Sequence, residues 1–399
     1  MSEKKLDFFI NSFFEYNSYS SKSEKETIFI APEAPPQHNL KIYSKADSPL
    51  YFSFIPQKGL SLSGNAGAII DENVLGQLLA IPDNNLDALI EFIEKFGFIF
   101  PISTEEYESV EVTIINEFLN RIKALIRLMG AISGKHNYIE MLHTVTYLLF
   151  TRPVTLELSK ETYTSCKHEF NDFLWGFTSF PNMSRDKEVF NTKKFTIKDT
   201  IYGEYKVDIE FFNSIRSGNN ATLIGAKNQL FKNIVALYTS NFHNNKNIKP
   251  IIDFYFHYQR EVAVIKEVNI DIINFYSPPN NENFTDELKK SLLYIAKNTI
   301  ANEINFNISG ITPKYNLETL QPSWQLNSLL EALYLSIFYM KPGVELYKAC
   351  ENPNCNYQKY FPIYATVTNK KYCCPACRNA AAQRRSRQKK LQNKKSYTQ

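Results

Sequence analysis

The chain has 399 residues, 44% of them hydrophobic, with a mean hydropathy of −0.31 and a net charge of +4. That length allows two or three domains at roughly 100–200 residues each. No run approaches the ~20 consecutive apolar residues that a membrane-spanning helix needs, and the first thirty residues lack the continuous apolar core of a secretory signal. The expectation is a soluble, cytoplasmic protein in a reducing compartment, where clustered thiols favour metal over disulfides.

Residues 6–14 open the chain as a short amphipathic stretch, followed by a polar Ser/Lys/Glu segment over 17–25 and a Pro-containing loop over 31–37. Residues 41–43 and 51–55 read as short strands, punctuated by Pro49 and Gly59. Three helices follow. The first is capped within residues 83–85, carries Leu86, Leu89, Ile90 and Ile93, and stops at Gly97. The second starts at Thr104 and buries Ile115, Phe118, Leu119, Ile122, Leu125, Ile126 and Met129 at helical spacing. The third runs over 138–150.

Residues 153–158 alternate like a strand, 169–177 suit a helix, 195–212 are partly strand, and 223–238 suit a helix. Residues 254–274 fit helix or strand equally. Thr285 caps a helix carrying Leu292 and Ile295, and 303–308 alternate again. Ser323 caps a helix bearing Trp324, Leu329, Leu330, Leu333, Ile337 and Phe338, and Lys341-Pro342-Gly343 ends it. The expected fold class is α+β, a mostly helical body with a minor sheet plus a small C-terminal zinc finger of knuckle, hairpin and helix. The expected division is an N-terminal segment over 1–60, a helical body over 61–344, the finger over 345–392 and a disordered end over 393–399.

The C-terminal region carries the chemistry. Five of the six cysteines are Cys350, Cys355, Cys373, Cys374 and Cys377, and a basic run of Arg378, Arg384, Arg385, Arg387, Lys389 and Lys390 follows. From Asn352 to Gln399 there are eleven Lys or Arg and no acid, so removing those charges from +4 leaves −7 on residues 1–351. Such an asymmetry points to a polyanionic partner for the basic end. Pro353 and Asn354 favour a tight turn between the first two cysteines. Residues 357–364 read as a strand, 371–372 return toward the metal, and Pro375 suits the first turn of a helix. Two thiol pairs about twenty residues apart can close a tetrahedral zinc site, structural because four thiolates leave no place for water. Cys373 and Cys374 compete for one place. Tyr372, as a last core residue of the returning strand, favours Cys373, and the reverse assignment stays open. Cys166 reads as an ordinary thiol.

Cys350-x4-Cys355, Tyr372-Cys373, Cys377-Arg378-Asn379 and Arg384-Arg385-x-Arg387 together resemble the CGNR-type zinc finger, which ends many bacterial proteins regarded as transcriptional regulators. The resemblance covers about residues 345–390. It implies Cys350, Cys355, Cys373 and Cys377 as the ligands of a structural zinc ion, and a nucleic-acid-binding helix over about 375–390. The name-giving motif is altered here: Arg378 stands where Gly is expected and Ala380 where Arg is expected, while Asn379 is kept.

The body offers no recognisable catalytic signature. There is no HExxH, no GxSxG and no Gly-rich phosphate loop, and the six His are scattered. His136 and His143, seven apart, read as ordinary histidines. The leading expectation is a non-enzymatic, zinc-dependent DNA-binding regulator whose body senses a small molecule or protein. DNA is favoured over RNA, and a homodimer would compensate for the weak binding of one small module. The alternatives are a nucleic-acid-processing enzyme or RNA-binding protein that docks through the finger, and a protein–protein adaptor whose zinc is purely structural.

Overall fold

The computed structural model describes residues 14–29, 36–55, 59–63, 69–71, 73–83, 85–133, 135–159, 161–176, 196–206, 229–239, 245–317, 320–340, 345–355, 360–364 and 370–396. The side chains of Lys389 and Lys390, most of the expected 6–14 stretch and the 341–343 stop lie outside this description. The chain forms two compact units. The first takes residues 1–134, 154–165 and 304–399, and the second takes 135–153 and 166–303.

The first unit is organised by a long antiparallel hairpin of β1 (Phe14–Ile28) and β2 (Gln37–Ile55), running from Phe14 opposite Phe54 to Ile28 opposite Gln37. An irregularity between Tyr19 and Ser21 bends it. The other edge of β2 is shared. Its C-terminal half pairs with β3 (Gly59–Ser63), which pairs with β4 (Ile69–Asp71), and its N-terminal half pairs with β5 (Glu108–Glu111). One face buries Phe14, Tyr16, Leu40, Ile42, Phe52, Phe54, Leu60, Leu62 and Val110.

Four helices belong to this unit's core: α1 (Val74–Leu79), α2 (Leu86–Phe96), α3 (Val112–Ala131) and, later in the chain, α9 (Leu329–Phe338). α2 ends at Gly97, whose φ of 81° suits glycine; a Cβ there would also lie 2.6 Å from the Tyr19 carbonyl. Among the described residues, three further hairpins belong to the unit: β6–β7 (Thr155–Glu157, Thr162–Thr164), β12–β13 (Thr312–Asn316, Gln321–Gln325) and β14–β15 (Glu345–Ala349, Tyr360–Tyr364). The chain closes with α10 (Pro375–Ser396).

The second unit contains α4 (Tyr138–Phe150), α5 (Glu169–Gly176), α6 (Gln229–Thr239), α7 (Lys249–His257) and, through residue 303, α8 (Asp286–Ile308), with hairpins β8–β9 (Thr196–Asp199, Gly203–Lys206) and β10–β11 (Ile265–Val268, Ile273–Phe275). A π-helical turn, Tyr258–Val262, extends α7. α4 is buried all round from Met141 to Phe150. Its Phe150 packs on Phe170 and Tyr255, while Tyr238 stacks on Phe256 with ring centres 3.7 Å apart.

The expectation of a mostly helical body with a minor sheet is overturned. Among the described residues 46% are helical and 28% lie in strands, a mixed α+β fold. The polar 17–25 segment is the middle of β1, where Ser20, Ser21 and Ser23 are buried in place of apolar residues. The second predicted helix begins at Val112 rather than near Thr104, because Glu108–Glu111 pairs with β2. Ser323 lies in β13, and the cap of α9 is Ser328, whose hydroxyl accepts from the Glu331 N–H. Residues 303–308, which alternate in sequence, are the last turns of α8.

Candidate metal centre

β14 delivers Cys350 immediately after its last residue, paired through Ala349 with Tyr360. Pro353 and Asn354 form the turn that brings Cys355 back, as their turn chemistry predicts. The Glu351 N–H donates to the Lys371 carbonyl at 2.9 Å, drawing the 370–372 segment alongside. Cys373 follows that segment, and Cys377 lies in the first turn of α10. The hairpin therefore forms between β14 and β15, with the knuckle at its head, rather than between residues 357–364 and 371–372.

The thiol sulfurs of Cys350, Cys355, Cys373 and Cys377 all lie within 4.8 Å of one another. Cys355–Cys373 and Cys355–Cys377 are 3.5 Å apart and Cys373–Cys377 is 3.6 Å. A disulfide needs about 2.05 Å, and none of these cysteines is in one. Four sulfurs about 2.3 Å from one ion stand about 3.8 Å apart at the corners of a tetrahedron. The quartet is thus a cage of the size that a metal ion requires. Phe361, Ile363 and Tyr372 pack around it and supply a small apolar core.

Cys374 lies outside the quartet, its sulfur 3.8 Å from that of Cys373. It stands just before Pro375. Burial raises its pKa, but the N–H groups of Cys377 and Ala376 outweigh this and lower it overall, as expected for a thiol at a helix N-terminus. Cys350 is lowered too, the Cys373 and Asn352 N–H groups outweighing burial. Cys377 is pushed up by burial to about 11. A bound cation reverses that preference, because the ligand is the thiolate.

A second layer was not legible in the sequence. Buried Asn352 donates its amide N–H to the Cys377 sulfur at 3.2 Å, and Arg384 donates to the Asn352 carbonyl oxygen at 2.7 Å. Arg384, expected to touch nucleic acid, is therefore half-buried and tied to the cage, whereas Arg378, Arg385 and Arg387 are exposed. The hairpin is also pinned to α1. Asn73, in the left-handed conformation at φ 61°, caps that helix through the Gly76 N–H. Its amide donates to the Tyr360 carbonyl at 2.8 Å and its oxygen accepts from the Tyr347 hydroxyl at 2.9 Å.

Comparison with known protein families, with curated proteins and with solved structures returns no match. Among the described residues, no helix is long and apolar enough to cross a membrane.

The histidines of the second unit have separate surroundings. His136 Nδ1 lies 3.3 Å from the Tyr138 hydroxyl, and His143 Nε2 lies 2.9 Å from the Asn269 carbonyl. His257 is fully buried between two carboxylates, Asp199 at 2.9 Å from Nε2 and Glu261 at 2.9 Å from Nδ1. Tyr238 donates to the same Asp199 oxygen, and Tyr202 to Glu261. Burial lowers the His257 pKa, but the two carboxylates outweigh it and raise it overall. The scattered sequence positions of these groups carried no signal of the network.

Proposed function

We propose that this chain is a non-enzymatic nucleic-acid-binding protein, in which the four-cysteine cage holds a structural zinc ion and thereby presents α10 to a polyanion. DNA is the favoured target, and transcriptional regulation the favoured role, with the second unit as the sensing body. The observation that carries the reading is the seating of the cage at the start of a helix that has Arg378, Arg385 and Arg387 exposed, in a segment without a single acid after Glu351. Zinc suits the donor set, since four thiolates at tetrahedral spacing are its usual structural environment. Four sulfurs fill its coordination, so the role of the ion is to fold the segment.

The test is the salt dependence of binding to duplex DNA. Replacing Arg378, Arg385 and Arg387 together with Ala weakens binding and flattens the slope of log K against log salt by about 0.9 for each phosphate that the helix no longer neutralises. An unchanged slope rules out α10 as the binding surface. Tighter binding to single-stranded or structured RNA than to duplex DNA would replace the DNA reading with the RNA one.

A further inference from the structure

Cys166, read from the sequence as an ordinary thiol, is buried beside two other potential ligands. It and His168 lie on the segment leading into α5, and Glu303 projects from α8. All three are nearly inaccessible, Cys166 at 2% exposure, His168 at 3% and Glu303 at 0%. His168 Nε2 lies 2.8 Å from Glu303 Oε1 and 4.0 Å from Cys166 Sγ. The thiol also faces the Asn302 carbonyl at 3.9 Å. The donor atoms of the three residues fall within 4.8 Å of one another.

We propose that Cys166, His168 and Glu303 form a second metal site, independent of the C-terminal cage, for a divalent transition ion of the zinc or cobalt type. The three side chains converge. An imidazole nitrogen has one lone pair or one proton, so Nε2 can serve one hydrogen-bond partner well. Here it faces both a carboxylate and a thiol, while Nδ1, also buried, has no hydrogen-bond partner. A chain of hydrogen bonds would string these groups out over different atoms; a shared cation gathers them around one point. Thiolate, imidazole and carboxylate together are the mixed donor set that zinc and its neighbours accept.

Charge also balances. A divalent ion held by a thiolate, a carboxylate and a neutral imidazole makes a group with no net charge, any protons on the ligand atoms being released as it binds. Such neutrality suits a buried site, where uncompensated charge is expensive. Tetrahedral ligation places N and O about 3.4 Å apart and S and N about 3.6 Å apart. Both lie about half an ångström from the distances present, within reach of side-chain adjustment. The three residues leave a fourth position, as in sites where an ion keeps one place for water or another ligand.

The test uses the full chain, purified under reducing, anaerobic conditions. Saturation with Zn2+ and removal of excess gives two equivalents by elemental analysis, falling to one in Glu303→Gln and to one in Cys355→Ser. Cobalt added to the metal-stripped native chain gives two phases, the three-ligand one with about a quarter of the thiolate charge-transfer intensity of the four-thiolate one, since it has a single sulfur donor. The cobalt measurement needs no variant to fold. A native chain that takes one equivalent and loses it entirely in Cys355→Ser overturns the proposal, as does a Glu303→Gln chain that keeps both. A native chain whose single equivalent survives Cys355→Ser but is lost in Glu303→Gln instead removes the cage reading and leaves this site standing.

Discussion

Gly76→Ala tests how the metal-bearing hairpin is attached to the rest of its unit. Gly76 is the third residue of α1, and a Cβ built on it would lie 2.1 Å from Asn73 Nδ2 and 2.6 Å from the Tyr360 carbonyl oxygen. The first neighbour is a side chain and can move, whereas the second is the backbone of β15. Relief therefore means that α1 and β15 separate, or that Asn73 swings out of its place. Either route disrupts up to three hydrogen bonds centred on Asn73, to Tyr360, from Tyr347 and from the Gly76 N–H. At about 1 kcal/mol each the loss is about 3 kcal/mol. Alanine returns about 1 kcal/mol through its higher helix propensity. The net destabilisation is about 2 kcal/mol, read as a lower urea midpoint of the metal-loaded chain at unchanged slope. Asn73→Gly supplies the control, because it tolerates φ 61° and removes the side-chain bonds without a clash. Gly76→Ala on that background costs less than it does alone, since the bonds to be broken are already gone. A Gly76→Ala chain as stable as the parent, or full additivity with Asn73→Gly, refutes this coupling.

Cys355→Ser releases the ion of the cage and melts residues 345–396 while the second unit keeps its own unfolding transition; Cys374→Ser leaves metal content unchanged, and elemental analysis with thermal unfolding checks both. Asn352→Ala weakens metal binding by about 10–100-fold, the usual cost of deleting a hydrogen bond to a ligand, measured by competition with a chelator; an unchanged affinity would mean that the 3.2 Å amide–sulfur hydrogen bond is idle. The second unit loses stability at both ends of the pH scale. Burial pushes Asp199 up, but His257 and the Tyr202 and Ile201 amides outweigh it and hold the carboxyl at about 2, against 3.8 unfolded. Its contribution, roughly 2 kcal/mol, is present above pH ~4 and disappears as pH falls toward 2. The raised His257 contributes fully below its unfolded value of about 6.5 and loses that contribution as pH rises through its folded value. Asp199→Asn flattens both limbs of the stability profile, and a profile unaltered by that substitution refutes the pairing.

What could be seen in advance divides by the range over which the physics acts. α2 and α4 follow from local periodicity, with Asn85 and Asn137 as side-chain caps. The knuckle follows from Pro353-Asn354 and the spacing of the cysteines. β1 does not, because its alternation is carried partly by serines, and burial of Ser21 is decided by the Phe98 N–H that donates to it from 77 residues away. The β13 strand hid behind Ser323, a credible cap, because the rival cap Ser328 differs only in having Glu331 three residues on. The Asn73 anchor and the Cys166–His168–Glu303 group join residues more than a hundred positions apart, and no spacing rule reaches that far.

The divided role of the basic residues on α10 follows from helical geometry once the cage is in place. At about 100° per residue, Cys377, Ala381 and Arg384 fall within one narrow stripe. That stripe faces inward: Cys377 and Ala381 are buried, and Arg384 reaches Asn352. Arg378, Arg385 and, by the same spacing, Lys389 share a second stripe about a quarter turn away. Arg378 and Arg385 are exposed there. The sequence presents these cations as a single run, but the fold divides them between a face that reaches the cage and faces open to solvent. One guanidinium is spent holding the amide that touches a sulfur, so its removal should act on the metal first and on nucleic acid only through the metal. Arg378, Arg385 and Arg387 are exposed, which leaves them open to a phosphate chain under the proposed function. Arg384→Gln and Arg385→Gln, equal in the charge they remove, therefore separate the two proposed roles: the first raises the rate of metal loss to a chelator, and the second changes only the salt slope of nucleic-acid binding.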